Sequence, residues 1–228
     1  MESANGGLFA NDLLRGSIVE LDEWKGLTDV SLDRIERLLH EIVDRFPTAQ
    51  SPNESQTEDD LIWPVLGALG WTSSLRQQNL SPGGVNDVPD GVLFADDAAK
   101  DRANGFAEEW KRYEFGLAVV ESKRWCLSLE DRAGLAARTA PSTQMLRYLR
   151  RVDDLTNGRL RWGVLTNGAR WRLYYQGARS VSEEFCEIDL AAVLDLAGHN
   201  DGLFALNPAE RRHWLKVFVL LSTTWPTA

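Results

Sequence analysis

Cysteine is scarce in this chain: only Cys126 and Cys186 occur among 228 residues. Two thiols cannot staple a disulfide-dense scaffold and suit a reducing compartment, so a cytoplasmic setting is expected. Long apolar runs are missing too. None approaches the roughly 20 residues that cross a bilayer, and the acidic, polar start is unlike a signal peptide, so no membrane partner is expected. Histidine is limited to His40, His199 and His213. They are scattered without the spacing of a metal-ligating set and read as structural. No glycine-rich loop ends in Lys-Ser or Lys-Thr, which removes support for an NTPase. No arrangement reads as a serine or cysteine nucleophile. Basic side chains are outnumbered, 25 Lys and Arg against 34 Asp and Glu, for a formal charge of −9. That total is unfavourable for holding phosphates.

What is there suits a globular domain with extensions: 43% of residues are apolar, and nine tryptophans read as packing anchors. The charge is also uneven. Residues 121–179 hold 12 basic and 5 acidic side chains, a net of +7, whereas residues 1–60 hold 5 and 14, a net of −9. A nucleic-acid groove would therefore lie along the basic stretch. The acidic remainder implies weak binding by the chain alone, with a partner or further domain supplying affinity.

The pattern predicts a short helical stretch within Asn11–Trp24, then an amphipathic helix N-capped by Ser31 with Leu32, Ile35, Leu38, Leu39, Ile42, Val43 and Phe46 at helical spacing. Pro47–Pro52 reads as a linker, placing an N-terminal helical extension over residues 1–50 and the main domain over 51–228. Ser51-Pro52-Asn53-Glu54 reads as a capping box, in which Glu54 bonds back to Ser51, opening a helix that stops at Gly70. A first strand is expected over 75–80, a loop with Gly83-Gly84 over Ser81–Val88, and over Asp96–Arg112 either a solvated insertion or a loop that contacts DNA or a neighbouring domain. Helices follow from Pro141 to about Asp153, near Leu190–Ala197 and near Pro208–Leu221, with a plain polar end from Thr223 to Ala228. Asn167-Gly168 predicts a hairpin between Trp162–Thr166 and Trp171–Tyr175, with Arg170 and Arg172 on a basic face.

The informative stretch lies between Pro89 and Tyr148. Pro89-Asp90-Gly91 enters the apolar run Val92-Leu93-Phe94, and a second run over 115–120 delivers Glu121-Ser122-Lys123. Both runs read as buried strands, so Glu121 and Lys123 share one face and Ser122 takes the other. If the strands are neighbours, Asp90 joins them. Two carboxylates and an ammonium at a sheet end are the parts of a magnesium site for phosphodiester hydrolysis.

Pro89-Asp90, Glu121-x-Lys123 and Gln144-x-x-x-Tyr148 together resemble the PD-(D/E)xK nuclease superfamily. Asn53–Thr57, Leu69-Gly70-Trp71 and Trp162–Gly168 are similar, in that order, to the N-terminal nuclease region of type IIG restriction–modification proteins and, more distantly, to type I restriction subunits. The resemblance implies an α/β restriction-endonuclease-like core, a mixed central sheet flanked by helices. It implies that Asp90, Glu121, Lys123, Gln144 and Tyr148 are catalytic. Mg²⁺, with Mn²⁺ able to substitute, would be held by Asp90, Glu121, the Ser122 carbonyl and Glu54, with Glu58 the alternative to Glu54. DNA is the implied substrate, and a methyltransferase or specificity subunit, another defence protein or a second copy the implied partner. Arg147, Arg150, Arg151, Arg170 and Arg172 are candidate phosphate contacts. The other reading is a nuclease-like fold that binds or assembles with little or no cleavage.

Overall fold

A computed structural model describes residues 4–83, 86–131, 139–201 and 205–224. Residues 84–85 of the expected loop and residues 225–228 of the expected polar end lie outside these ranges. Seven strands form one mixed sheet: β1 (Ala4–Asn5), β2 (Ser74–Arg76), β3 (Gly91–Leu93), β4 (Ala118–Ser122), β5 (Trp162–Thr166), β6 (Arg170–Tyr175) and β7 (Phe185–Asp189), ordered β1-β7-β6-β5-β4-β3-β2. All neighbours are antiparallel except β4 and β5, which run parallel.

Helices cover both faces, giving an α/β architecture. In chain order they are α1 (Asn11–Arg15), α2 (Asp22–Gly26), α3 (Asp29–Arg45), α4 (Glu54–Thr57), α5 (Trp63–Ala68), α6 (Asp97–Asn104), α7 (Pro141–Thr156), α8 (Leu190–Val193) and α9 (Pro208–Thr224). A π-helical turn, Glu58–Ile62, joins α4 to α5. The parallel pair requires a crossover, and α7 supplies it.

The core follows the strand alternation. Leu93, Ala118, Val120, Val164, Leu173 and Ile188 pack with Leu32, Leu39, Leu66 and Phe218, so the N-terminal helices share a hydrophobic cluster with the sheet. On the other face, Val92 and Val119 meet Tyr113, Tyr148 and Val152, while Leu165 and Tyr174 meet Met145 and Leu149. No helix among the described residues is long and apolar enough to cross a membrane.

Several local expectations need correction. The cap of α3 is Thr28, whose Oγ1 accepts from Ser31 N at 3.2 Å. The cap of α4 is Asn53, in a reciprocal box with Gln56 at 2.9 and 3.0 Å, while Ser51 sits in the left-handed region. Glu54 is thereby released from capping. Strand β2 stops at Arg76 because Gln77 has φ +52°. The α8 helix is only four residues long. Asn167 N bonds Arg170 O at 3.3 Å, which centres the turn on Gly168-Ala169 rather than Asn167-Gly168. Of the two, only Gly168 has positive φ, at +82°.

The charged segment 96–112 is folded rather than a solvated insertion. Asp96 caps α6 through Ala99 N at 2.7 Å, and Ala99, Ala103 and Tyr113 are buried in the second core cluster. Gly91 shows how tightly β3 is packed: a Cβ there would lie 2.4 Å from the Trp63 ring.

Candidate active site

The β3–β4 register pairs Gly91 with Val120 and so brings Asp90 beside Glu121 at the strand ends. Asp90 Oδ2 accepts a hydrogen bond from Ser122 N at 2.6 Å and lies 2.7 Å from Ser122 Oγ. Glu121 is 1% exposed. Its Oε1 accepts from Lys123 Nζ at 2.5 Å, while its Oε2 is buried without a hydrogen bond. Alternation along β4 therefore produces the expected split: Glu121 and Lys123 together, Ser122 turned to the opposite face.

The helical segment 54–68 closes that opposite side. Glu54 Oε1 accepts from Lys123 Nζ at 3.3 Å. One turn on, Glu58 Oε1 takes the Ser122 hydroxyl, and its Oε2 accepts from Arg76 Nη2 at 2.6 Å. Both acids reach the cluster, Glu54 through the lysine and Glu58 through the serine. Thr57 Oγ1 accepts from Trp125 N at 3.0 Å, pinning the helix to the chain just beyond Lys123.

Gln144 and Tyr148 lie on α7 and, among the described residues, make no hydrogen bond to these carboxylates. Gln144 Nε2 donates to Tyr148 Oη at 2.8 Å, and Tyr148 Oη donates to Val88 O at 3.3 Å. The pair thus buttresses the backbone that leads into Asp90.

Electrostatics follow from crowding acids in a dry place. Burial, then the Glu58 charge, push the Asp90 pKa up to about 6 against the pull of Ser122 and Lys123. Burial, then Asp90, push Glu121 from 4.5 up to about 8, even with Lys123 beside it. A carboxyl whose folded-state pKa is raised contributes stability below its unfolded pKa, and that stability is lost as pH rises through the folded value. Hence Glu121→Gln is expected to stabilise the protein in EDTA by about 2 kcal/mol near pH 9 and to change it little near pH 5, read by urea unfolding at both pH values. An equal effect at both would show that Glu121 does not carry this strain.

The candidate phosphate contacts are mostly engaged internally. Arg147 and Arg151 both grip the buried Asp87, at 2.9 and 2.5 Å. Arg170 lies 3.6 Å from Asp189. Arg172 is buried and bonded to Glu187 and Glu130, which excludes it as a DNA contact and leaves Arg170 as the more exposed member of the pair. Arg150 is exposed and forms no ion pair with a described residue.

Sequence reasoning missed Arg76, Asp87 and the Ser122 hydroxyl. Arg76 faces Gly91 in the β2–β3 register, a relation that only strand pairing reveals. Among the described residues, no group of three or more His, Cys, Asp or Glu side chains is arranged to hold a metal ion. Magnesium, however, is commonly held by one or two carboxylates with waters retained. The unsatisfied Oε2 of Glu121 beside Asp90 fits that demand. No family model, curated protein or solved structure matches the chain.

Proposed function

We propose that this chain is a Mg²⁺-dependent deoxyribonuclease module of the restriction-endonuclease type, acting in restriction–modification or phage defence. One observation carries the reading: Asp90 and Glu121 stand side by side on adjacent strands, with Lys123 hydrogen-bonded to Glu121. The order of helix, three antiparallel strands with α6 between the second and third, helix and parallel strand (54–68, β2, β3, α6, β4, α7, β5) supports the restriction-endonuclease-like core that the motif resemblance implies.

Asp90, Glu121 and the Ser122 carbonyl would hold the ion. When bound, Mg²⁺ (or Mn²⁺) supplies Lewis-acid polarisation of the phosphate and a water made more acidic. The chain's own groups do the rest. Lys123 Nζ would orient the attacking water and offset charge gathering on the phosphoryl oxygens. Ser122 fixes the Asp90 carboxylate, and Gln144 with Tyr148 holds the approach to it. Glu54 shares the lysine, which keeps the ammonium centred over the site. Sequence recognition would come from a methyltransferase or specificity partner, since the basic side chains offered here suit backbone contact.

The test is incubation of the purified chain with supercoiled plasmid in Mg²⁺ or Mn²⁺, beside an EDTA control. Nicked or linear product that EDTA abolishes is expected. A second reading, a DNA- or protein-binding assembly module, is favoured by one feature: Arg147, Arg151 and Arg172 are spent on internal carboxylates. Plasmid left intact in Mn²⁺, with its natural partner added, would select that reading.

A further inference from the structure

Two cations serve the acidic cluster, and they divide it. Lys123 takes Glu121 and Glu54. Arg76, on edge strand β2, takes Glu58 through Nη2 and Asp59 through Nη1, both at 2.6 Å. Its guanidinium lies over the Trp63 ring, 5.1 Å from the centroid, and Trp63 in turn packs on Gly91, the residue after Asp90. From Arg76 an unbroken path of contacts reaches the first carboxylate. Arg76 holds Glu58, Glu58 takes the Ser122 hydroxyl, and Ser122 meets Asp90 Oδ2 through both Oγ and N.

We propose that Arg76 is a positioning residue that sets the affinity of the Asp90–Glu121 pair for its divalent ion by fixing Asp90 through Glu58 and Ser122. The inference rests on the metal-dependent reading of this site and adds to it a residue outside the motifs. The physical case is one of geometry. The Glu58 side chain is 8% exposed, and a buried carboxylate without its cation is costly enough to move or to recruit another partner. Lys123 cannot take over, because it already bridges two acids. A planar guanidinium spans Glu58 and Asp59 at once while stacking on Trp63, which a single ammonium cannot do. Loss of Arg76 therefore releases Glu58, then the Ser122 hydroxyl, then Asp90. Groups that orient metal-binding carboxylates in this way typically affect affinity or activity by 10- to 100-fold.

The experiment is titration calorimetry of Mn²⁺ into the full chain, with plasmid cleavage rates and circular dichroism in parallel. Arg76→Ala and Arg76→Gln are expected to weaken Mn²⁺ binding by about 10-fold or more, with Arg76→Lys recovering part of the loss. In a Glu58→Gln background, removal of Arg76 is expected to add less than about 2-fold, because the two act along one path. Should the alanine variant lose its fold, the near-isosteric glutamine variant decides. Unchanged Mn²⁺ affinity in a folded Arg76 variant overturns the role, as does an equal loss with or without Glu58. Wild-type protein that binds no Mn²⁺ overturns the metal site itself, and this role with it.

Discussion

Alanine at Lys123 is expected to slow Mg²⁺-dependent plasmid cleavage by on the order of 10³-fold. The side chain is only 12% exposed and is hydrogen-bonded to Glu121 at 2.5 Å and Glu54 at 3.3 Å. Burial alone would lower its pKa, but the Glu121 carboxylate and then Glu54 outweigh burial and raise it above the ordinary lysine value. The ammonium is thus charged across the working range and has no proton vacancy to act as a general base. In the proposed cleavage reaction its contribution would be electrostatic, a fixed positive charge and three donors offered to the phosphate. Two further results follow. Lys123→Arg, which keeps the charge in a different shape, should recover part of the rate. The pH–rate profile of the wild type should show no inflection from this residue between about pH 6 and 9. Initial nicking rates, with circular dichroism to confirm the fold, decide the matter. A folded Lys123→Ala protein that cuts at the wild-type rate would remove the lysine from the mechanism.

The parts of this arrangement that the sequence makes legible are those written in local alternation. Apolar runs over 92–94 and 118–120 have few options other than buried strands, and period two then dictates that Glu121 and Lys123 share a face. Turn and cap chemistry is harder because rival residues stand close together. Thr28 and Ser31 are both hydroxyl donors and acceptors, and Ser51 and Asn53 are both good caps; which one serves depends on how the preceding chain enters. The 96–112 segment escapes an apolar count because it is buried through small residues, Ala99 and Ala103, with Tyr113 just beyond it. Relations made across the sheet are the least legible. Arg76 reaches the cluster through β2–β3 pairing and a helical carboxylate 18 residues away in sequence. Nothing in the local text around Arg76 announces Glu58.

Arg172 is the plainest case, and it carries the second large effect. Alternation with Trp171 and Leu173 suggested an outward basic side chain, yet β6 is an interior strand covered on both faces. Arg172 is instead the hub of a buried network. Its Nε and Nη2 donate to Glu187 Oε2 at 2.9 and 2.6 Å, and Nη1 donates to Tyr174 Oη at 3.0 Å and to Glu130. The guanidinium lies over the Phe185 ring at 4.0 Å. Glu130 also accepts from Ser142 Oγ at 3.1 Å, so the network ties β6 and β7 to the start of α7, the helix that carries Gln144 and Tyr148. Arg172→Ala is expected to destabilise the fold by about 3–5 kcal/mol, because it strands Glu187 as a buried, unpaired charge. The midpoint of urea unfolding should fall with little change in slope. Replacing both partners, Arg172→Met with Glu187→Leu, should restore most of the loss, since well-packed apolar groups often match a buried ion pair. If Arg172 were instead a surface contact for phosphates, alanine would cost well under 1 kcal/mol and would lower the salt dependence of DNA binding. The two outcomes are far enough apart for a single denaturation series to separate them.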